Sequence, residues 1–187
     1  MLREFLLSIN LLMFFGLLIF SHPGQAITSF ELENKSLVSF KVLPNWHSKS
    51  EMFGVPLMLL GPKSGKVRRP VLTLVNTGVE QKLFSKFTSE DGEAAYIKGR
   101  KRWLSRYDGL FIKSLGYDKI IDRGMEFHIF GYTYKLGTED LIERSYYVVC
   151  EQELYHLKTL FHAKTPNTLI NELEKTLNSF NCQGEQK

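Results

Sequence analysis

From Leu110 to Phe161 the chain keeps one rhythm: apolar side chains recur at every second position through successive runs, interrupted only by short polar stretches. The runs are Leu110–Ile121, Met125–Leu136, Ile142–Val149 and Glu153–Phe161. They are parted by Asp122-Arg123-Gly124, Gly137-Thr138-Glu139-Asp140 and Glu151-Gln152. A period of two places alternate side chains on opposite faces of a strand. Connections this short exclude a crossover, so consecutive runs must lie side by side and antiparallel. The result is a meander, around which everything else in the chain has to pack.

Upstream, Ile27–Glu33 and Leu37–Val42 alternate in the same way, and Leu43-Pro44-Asn45-Trp46 ends the second run with a turn. Val55–Leu60 is almost continuously apolar, as an interior strand is. Gly61-Pro62-Lys63-Ser64-Gly65-Lys66 then leads into Pro70–Val75, which predicts a hairpin with a mobile, basic tip. Between Thr88 and Tyr107 the period changes to that of a helix. Ile97, Trp103, Leu104 and Tyr107 form its stripe with Ala94 and Tyr96 beside it; acidic residues come early and basic ones late, as a helix dipole favours. Thr88 or Ser89 is expected to cap it, and Gly109 to take the left-handed position after its end. A second helix is expected to start with Thr165 as cap and Pro166 at the first helical position, burying Leu169, Ile170, Leu173, Leu177 and Phe180. The fold class is α+β, an antiparallel sheet of about seven or eight strands flanked by two main helices.

Residues 1–26 read as a cleavable signal peptide. Arg3 lies in a short head, Phe5–Phe20 is apolar, and the polar segment that follows ends in Gly24-Gln25-Ala26, which places the cut after Ala26. The apolar stretch falls short of the ~20 residues of a spanning helix and contains Ser8, Asn10 and Gly16, so cleavage is favoured over a retained anchor. Residues 27–187 then form a single domain, large enough for one hydrophobic core. The product is expected to be periplasmic or secreted and monomeric, touching a membrane only if the leader is kept. A formal net charge of +4 is well below that of a dedicated nucleic-acid binder. In an oxidising compartment Cys150 and Cys182 read as a disulfide that pins the last helix to the sheet edge. Closing a loop of about 33 residues contributes roughly 3 to 4 kcal/mol. Their spacing is unlike Cys-x-x-Cys and no Cys or His cluster accompanies them, which argues against a redox or metal pair.

The order strand, strand ending in Pro44-Asn45-Trp46, hairpin, long helix, meander and terminal helix resembles the PsbP-like superfamily. The residues that carry the resemblance are Ser39-Phe40-Lys41-Val42-Leu43, Ser145-Tyr146-Tyr147-Val148-Val149, Leu154-Tyr155-His156-Leu157 and Asn178-Ser179-Phe180. That superfamily includes an extrinsic photosystem subunit, a Ran-binding nuclear import factor and many small bacterial proteins. The resemblance implies an α/β/α sandwich. It brings no shared catalytic residues, and it implies partners held on different surfaces in different members.

No nucleophile elbow, His-Glu-x-x-His pair, phosphate loop or dinucleotide fingerprint occurs. His128 and His156 sit inside strand runs, with Glu126 and Glu153 as the carboxylates nearest in sequence. Parity puts His128 and Glu126 on one face, but the ligand count of a metal site is not reached. No catalytic, cofactor-binding or metal residue is assigned. Two basic groups remain as candidates for an anionic partner: Lys63, Lys66, Arg68 and Arg69 at the hairpin tip, and Lys98, Arg100, Lys101 and Arg102, with Arg106, late in the first helix. The bland alternative for both is a solvated face with favourable dipole placement. The expectation is an exported, non-enzymatic domain that binds an envelope protein or anionic surface through the sheet face or the hairpin tip. The alternatives are a hydrolase or metal-dependent enzyme with a dispersed site, and a small-ligand carrier using the meander's aromatic residues.

Overall fold

In the computed structural model, which describes residues 26–31, 37–52, 55–80, 90–150 and 152–183, every expected run is an element. In chain order these are β1 (Ala26–Glu31), β2 (Leu37–Val42), β3 (His47–Met52), β4 (Val55–Leu60), β5 (Val71–Glu80) and α1 (Glu90–Ser105). There follow β6 (Gly109–Asp122), β7 (Met125–Leu136), β8 (Glu139–Cys150), β9 (Glu153–His162), α2 (Asn167–Asn178) and β10 (Asn181–Gln183). Nearly all of the expected leader, and the expected capping residues Thr88 and Ser89, lie outside the described residues; Ala26 opens β1.

The meander forms as its short turns require. It makes up one side of a seven-stranded antiparallel sheet in the order β3-β4-β5-β9-β8-β7-β6. At the β6–β7 turn Arg123 and Gly124 both have positive φ, the backbone twist that a two-residue hairpin connection needs. The Arg123 guanidinium also donates to the carbonyl of Asn178, which the end of α2 leaves open, and to that of Phe180 just beyond it. The expected first two strands do not join this sheet. β1 and β2 pair with β10 in a separate three-stranded sheet, in which Val38 lies opposite Cys182.

Alternation gives the large sheet two distinct faces. On one, Leu57, Leu74, Leu157 and Tyr146 follow one another across four strands. They are covered by Leu173, Leu177 and Phe180 from α2 and its end, and by Val38 and Phe40 of the small sheet. Each fully buried Leu or Phe here contributes ~1.5–3 kcal/mol. Trp46 joins this core and donates from Nε1 to Glu172 of α2 at 3.1 Å. Gly61 makes room for it, because a Cβ there would meet the indole at 3.0 Å.

The disulfide is present, with Cys150 and Cys182 Cα atoms 5.9 Å apart. It joins the end of β8, an interior strand, to β10, so it ties the two sheets together rather than pinning the helix to a sheet edge. α2 begins later than its sequence suggests: Pro166 is the N-cap and no side chain caps it, while the Thr165 amide bonds the His162 carbonyl. At the end of α1, Asp108 rather than Gly109 takes the left-handed conformation. Gly109 is needed for a different reason, since a Cβ there would lie 2.7 Å from Leu104.

Candidate partner-binding edge

The other face of the large sheet carries α1. Leu104 packs with Tyr132, Tyr134 and Leu141, and Trp103 and Tyr96 lie alongside. Of the expected stripe, Tyr107 turns out to be exposed, and Arg100 takes an inward position instead. Its Nη1 lies 3.5 Å from Glu143 Oε1, and its guanidinium carbon lies 5.1 Å from the Tyr96 ring centroid and 5.8 Å from that of Tyr132. Burial is the strongest single influence and would lower the guanidinium pKa, but the Glu143 carboxylate and the surrounding phenols together outweigh it and the pKa is raised. The Tyr132 hydroxyl, Glu143 Oε1 and His156 Nε2 are buried on this face and, among the described residues, accept or donate no hydrogen bond, the ion pair of Glu143 with Arg100 aside. This is a polar, aromatic layer built around one ion pair.

β6 ends the sheet beside α1, so among the described residues one side of its backbone is without a pairing strand. Its pairing with β7 shifts between Phe111 and Lys113 and again between Ser114 and Gly116. Ile112 and Leu115 are therefore extra residues without partners across the ladder, as in β-bulges. Gly116, at φ 89°, supplies the left-handed backbone that the second shift uses. These irregularities spread apolar side chains over both faces. Among the described residues, all the exposed large apolar side chains fall between Tyr107 and Ile121: Tyr107, Leu110, Ile112, Leu115, Ile120 and Ile121. Leu110 is 63% exposed and Ile121 71%. Natural edge strands are usually short, charged or covered. β6 is 14 residues long, and its charges at Lys113, Asp118 and Lys119 lie between two apolar stretches, Leu110–Ile112 and Ile120–Ile121.

The basic candidates fall into different settings. Lys63 and Lys66 stand exposed at the hairpin tip and Arg69 is half-buried. Arg68 is held by Glu139, Nη2 to Oε2 at 2.6 Å, which anchors the tip to the start of β8. On α1, Lys98 and Arg102 are exposed, Lys101 sits 5.0 Å over the Phe111 ring, and Arg100 is withdrawn into the layer beneath the helix.

His128 and Glu126 do share a face, with Nε2 2.7 Å from Oε1, and Tyr117 and Lys119 extend the network. Burial lowers the His128 pKa against the pull of Glu126. The Tyr117 phenol is raised by burial, which opposes its use as a nucleophile. His156 is on the same face, but Tyr147 stands between the two rings, opposite both in register and stacked 4.5 Å from His156. Glu153 points to the other face, toward Asn76. Among the described residues no group of three or more His, Cys, Asp or Glu comes together as a metal-binding set.

The architecture is matched by the solution structure of cyanobacterial PsbP (CyanoP) from Synechocystis sp. PCC 6803. That protein is 10% identical, with 85% of this chain and 94% of that one covered at a TM-score of 0.61. This chain has the PsbP-like fold. A second match is LpqN, described as involved in cell envelope biogenesis of Mycobacterium tuberculosis, at 11% identity, 85% and 91% coverage and a TM-score of 0.55. A third, from Bacteroides thetaiotaomicron VPI-5482, covers 87% of this chain and 50% of that one at 7% identity and a TM-score of 0.52. At such identities the likeness is one of fold, and function has to be argued from the site. No family model and no curated protein sequence matches this chain.

Within this PsbP-like domain the β6 edge is the feature that the sequence reading passed over. A signal was present: Leu110, Phe111 and Ile112 are adjacent, as are Ile120 and Ile121, so both faces of the strand are apolar. An interior strand has the same composition. Only its place at the end of the sheet turns that pattern into an exposed surface.

Proposed function

We propose that this PsbP-like domain is an exported, non-enzymatic binding module that holds a partner protein along β6. The observation that carries the reading is the edge itself: a long strand that no other strand pairs with on its outer side among the described residues, with a row of exposed apolar side chains. Main-chain pairing with such an edge supplies affinity, and side chains on either face supply selectivity. An exposed apolar cluster of this kind marks an interaction surface on a protein that must otherwise stay dispersed in water. Export is supported by the three-part leader in the sequence and by the Cys150–Cys182 bridge, which suits a non-reducing compartment. An envelope partner fits that location, and LpqN, a fold relative, is described by its role in the cell envelope.

The test is differential capture from the native envelope. Ile112→Lys with Leu115→Lys places two charges on the edge at exposed positions. Ser48→Lys with Ser50→Lys places the same charges on β3 at the opposite end of the sheet. The β6 pair should lower recovery of the captured partner by about tenfold or more, in line with loss of a hot spot. The β3 pair should leave recovery unchanged. Equal recovery with both would remove β6 as the docking site.

A further inference from the structure

Charge divides along β6. Around its C-terminal half the cations have carboxylates close by: Lys119 Nζ lies 2.8 Å from Glu126 and Arg123 Nη2 lies 3.0 Å from Asp122. Around its N-terminal half stand Lys98, Lys101, Arg102 and Arg106 on and just after α1, all exposed. None of these has a carboxylate within ion-pair distance among the described residues. α1 lies along the strand, since Ser114 donates to Glu93 at 2.8 Å and Lys101 covers Phe111. The helix therefore brings its positive end to the flank of the open edge. Leu110 and Leu115 lie on the opposite face, Leu110 paired with Lys135 and Leu115 packed over Gly131.

Like charges gathered without counter-charge create a local positive potential that an anionic partner relieves. Two kinds of surface carry such charge, an anionic bilayer and an acidic segment of protein. The backbone of β6 decides between them. Unpaired N–H and C=O groups of a sheet edge are not tolerated in hydrocarbon, whereas an added strand satisfies them. We infer that the partner segment is acidic and extended and pairs with the N-terminal half of β6. Its carboxylates lie toward the α1 cations, and its alternate, apolar side chains lie on Leu110 and Leu115. This rests on the reading of β6 as the docking edge.

Blocked, labelled peptides of about a dozen residues, enough to span an edge strand, separate the two layers of that claim by fluorescence anisotropy. One alternates Glu and Val, one Thr and Val, one Lys and Val; phosphatidylglycerol vesicles form the fourth arm. The Glu/Val peptide should bind about tenfold or more tighter than Thr/Val at low salt, with the preference shrinking as salt rises. Lys101→Glu with Arg102→Glu and Arg106→Glu should abolish the preference, and Lys101→Glu alone should reduce it. Equal binding of Glu/Val and Thr/Val, or a preference that survives charge reversal, overturns the acidic partner and leaves the edge reading standing. Binding to vesicles alone, or to no peptide, overturns both.

Discussion

α1 and α2 lie on opposite faces of one sheet, and the sheet meets them with different chemistry. Toward α2 it presents Leu57, Leu74, Leu157 and Val148, closed over by Leu173, Leu177 and Phe180. Toward α1 it presents Tyr132, Glu143, Ser145 and Tyr147, with Arg100 reaching down among them and Tyr96 sharing a 3.1 Å hydrogen bond with Ser145. Apolar burial is non-directional and stabilises in proportion to area. A buried ion pair at best roughly offsets its own desolvation, but its geometry admits few alternatives. The α2 face accordingly supplies cohesion. The α1 face supplies orientation, and what it orients is the helix that carries the cations beside β6.

The largest test of that contrast is to break the pair. Glu143 is 2% exposed, so Arg100→Ala leaves a carboxylate buried without its counter-charge. The expected cost is about 3 to 5 kcal/mol, read as a lower urea midpoint. Arg100→Met combined with Glu143→Met should recover most of it, because two apolar side chains of similar length remove both charges together. A loss below about 1 kcal/mol for Arg100→Ala would mean that the pair does not hold α1, and the contrast between the faces would fail.

The same contrast explains what could be read from the sequence. The α2 face was legible because it obeys periodicity: Leu173 and Leu177 fall on a helical stripe, and Tyr146 and Val148 fall on strand parity. Short turns made the neighbours within the meander legible as well. Arg100 was not, because a late helical Arg looks like dipole placement, and the Glu143 that draws it inward lies on a strand whose register no local pattern specifies. β3, with the sequence HSKSEM, carries no apolar alternation since its described side chains are exposed on both faces. Assigning β2 to a second sheet depends on pairing between Val38 and Cys182, a partnership that spans almost the whole domain. The disulfide was legible as a pair, but its job of joining two sheets was not.

A smaller effect separates the faces by pH. His156 lies on the α1 face, and burial, with the charges of Lys158 and Arg100 adding to it, pushes its pKa down to about 3. Unfolded, the imidazole titrates near its ordinary value of about 6.5. Between these values the unfolded chain binds the proton and the folded one does not, so stability falls as pH falls from about 6.5 toward 3. At about pH 5 this one group should have removed about 2 kcal/mol relative to neutral pH. His128 acts in the same direction, with Glu126 opposing it. His156→Phe keeps a ring against Tyr147 and should flatten the slope. An acid slope in urea midpoint identical in wild type and variant would show that His156 does not carry it.

The smallest effect on stability is expected at the two ends of the sheet, and there the contrast runs the other way. β3 is short, polar and carries Lys49, whereas β6 is long and shows Leu110, Ile112 and Ile121 to solvent. Exposed positions away from caps and buried partners usually move stability by no more than about 0.5 kcal/mol. Ile112→Lys and Ser50→Lys should therefore leave the urea midpoint nearly unchanged. What should differ is self-association, because an apolar stretch such as Leu110–Ile112 on a sheet edge is a template for another strand and a charge within it is the usual deterrent. Light scattering from concentrated protein should drop for Ile112→Lys and stay at the wild-type level for Ser50→Lys, whose edge is already blunted. Equal scattering from all three proteins would mean that β6 is protected in solution by something other than its own side chains, and its exposure would no longer argue for a partner.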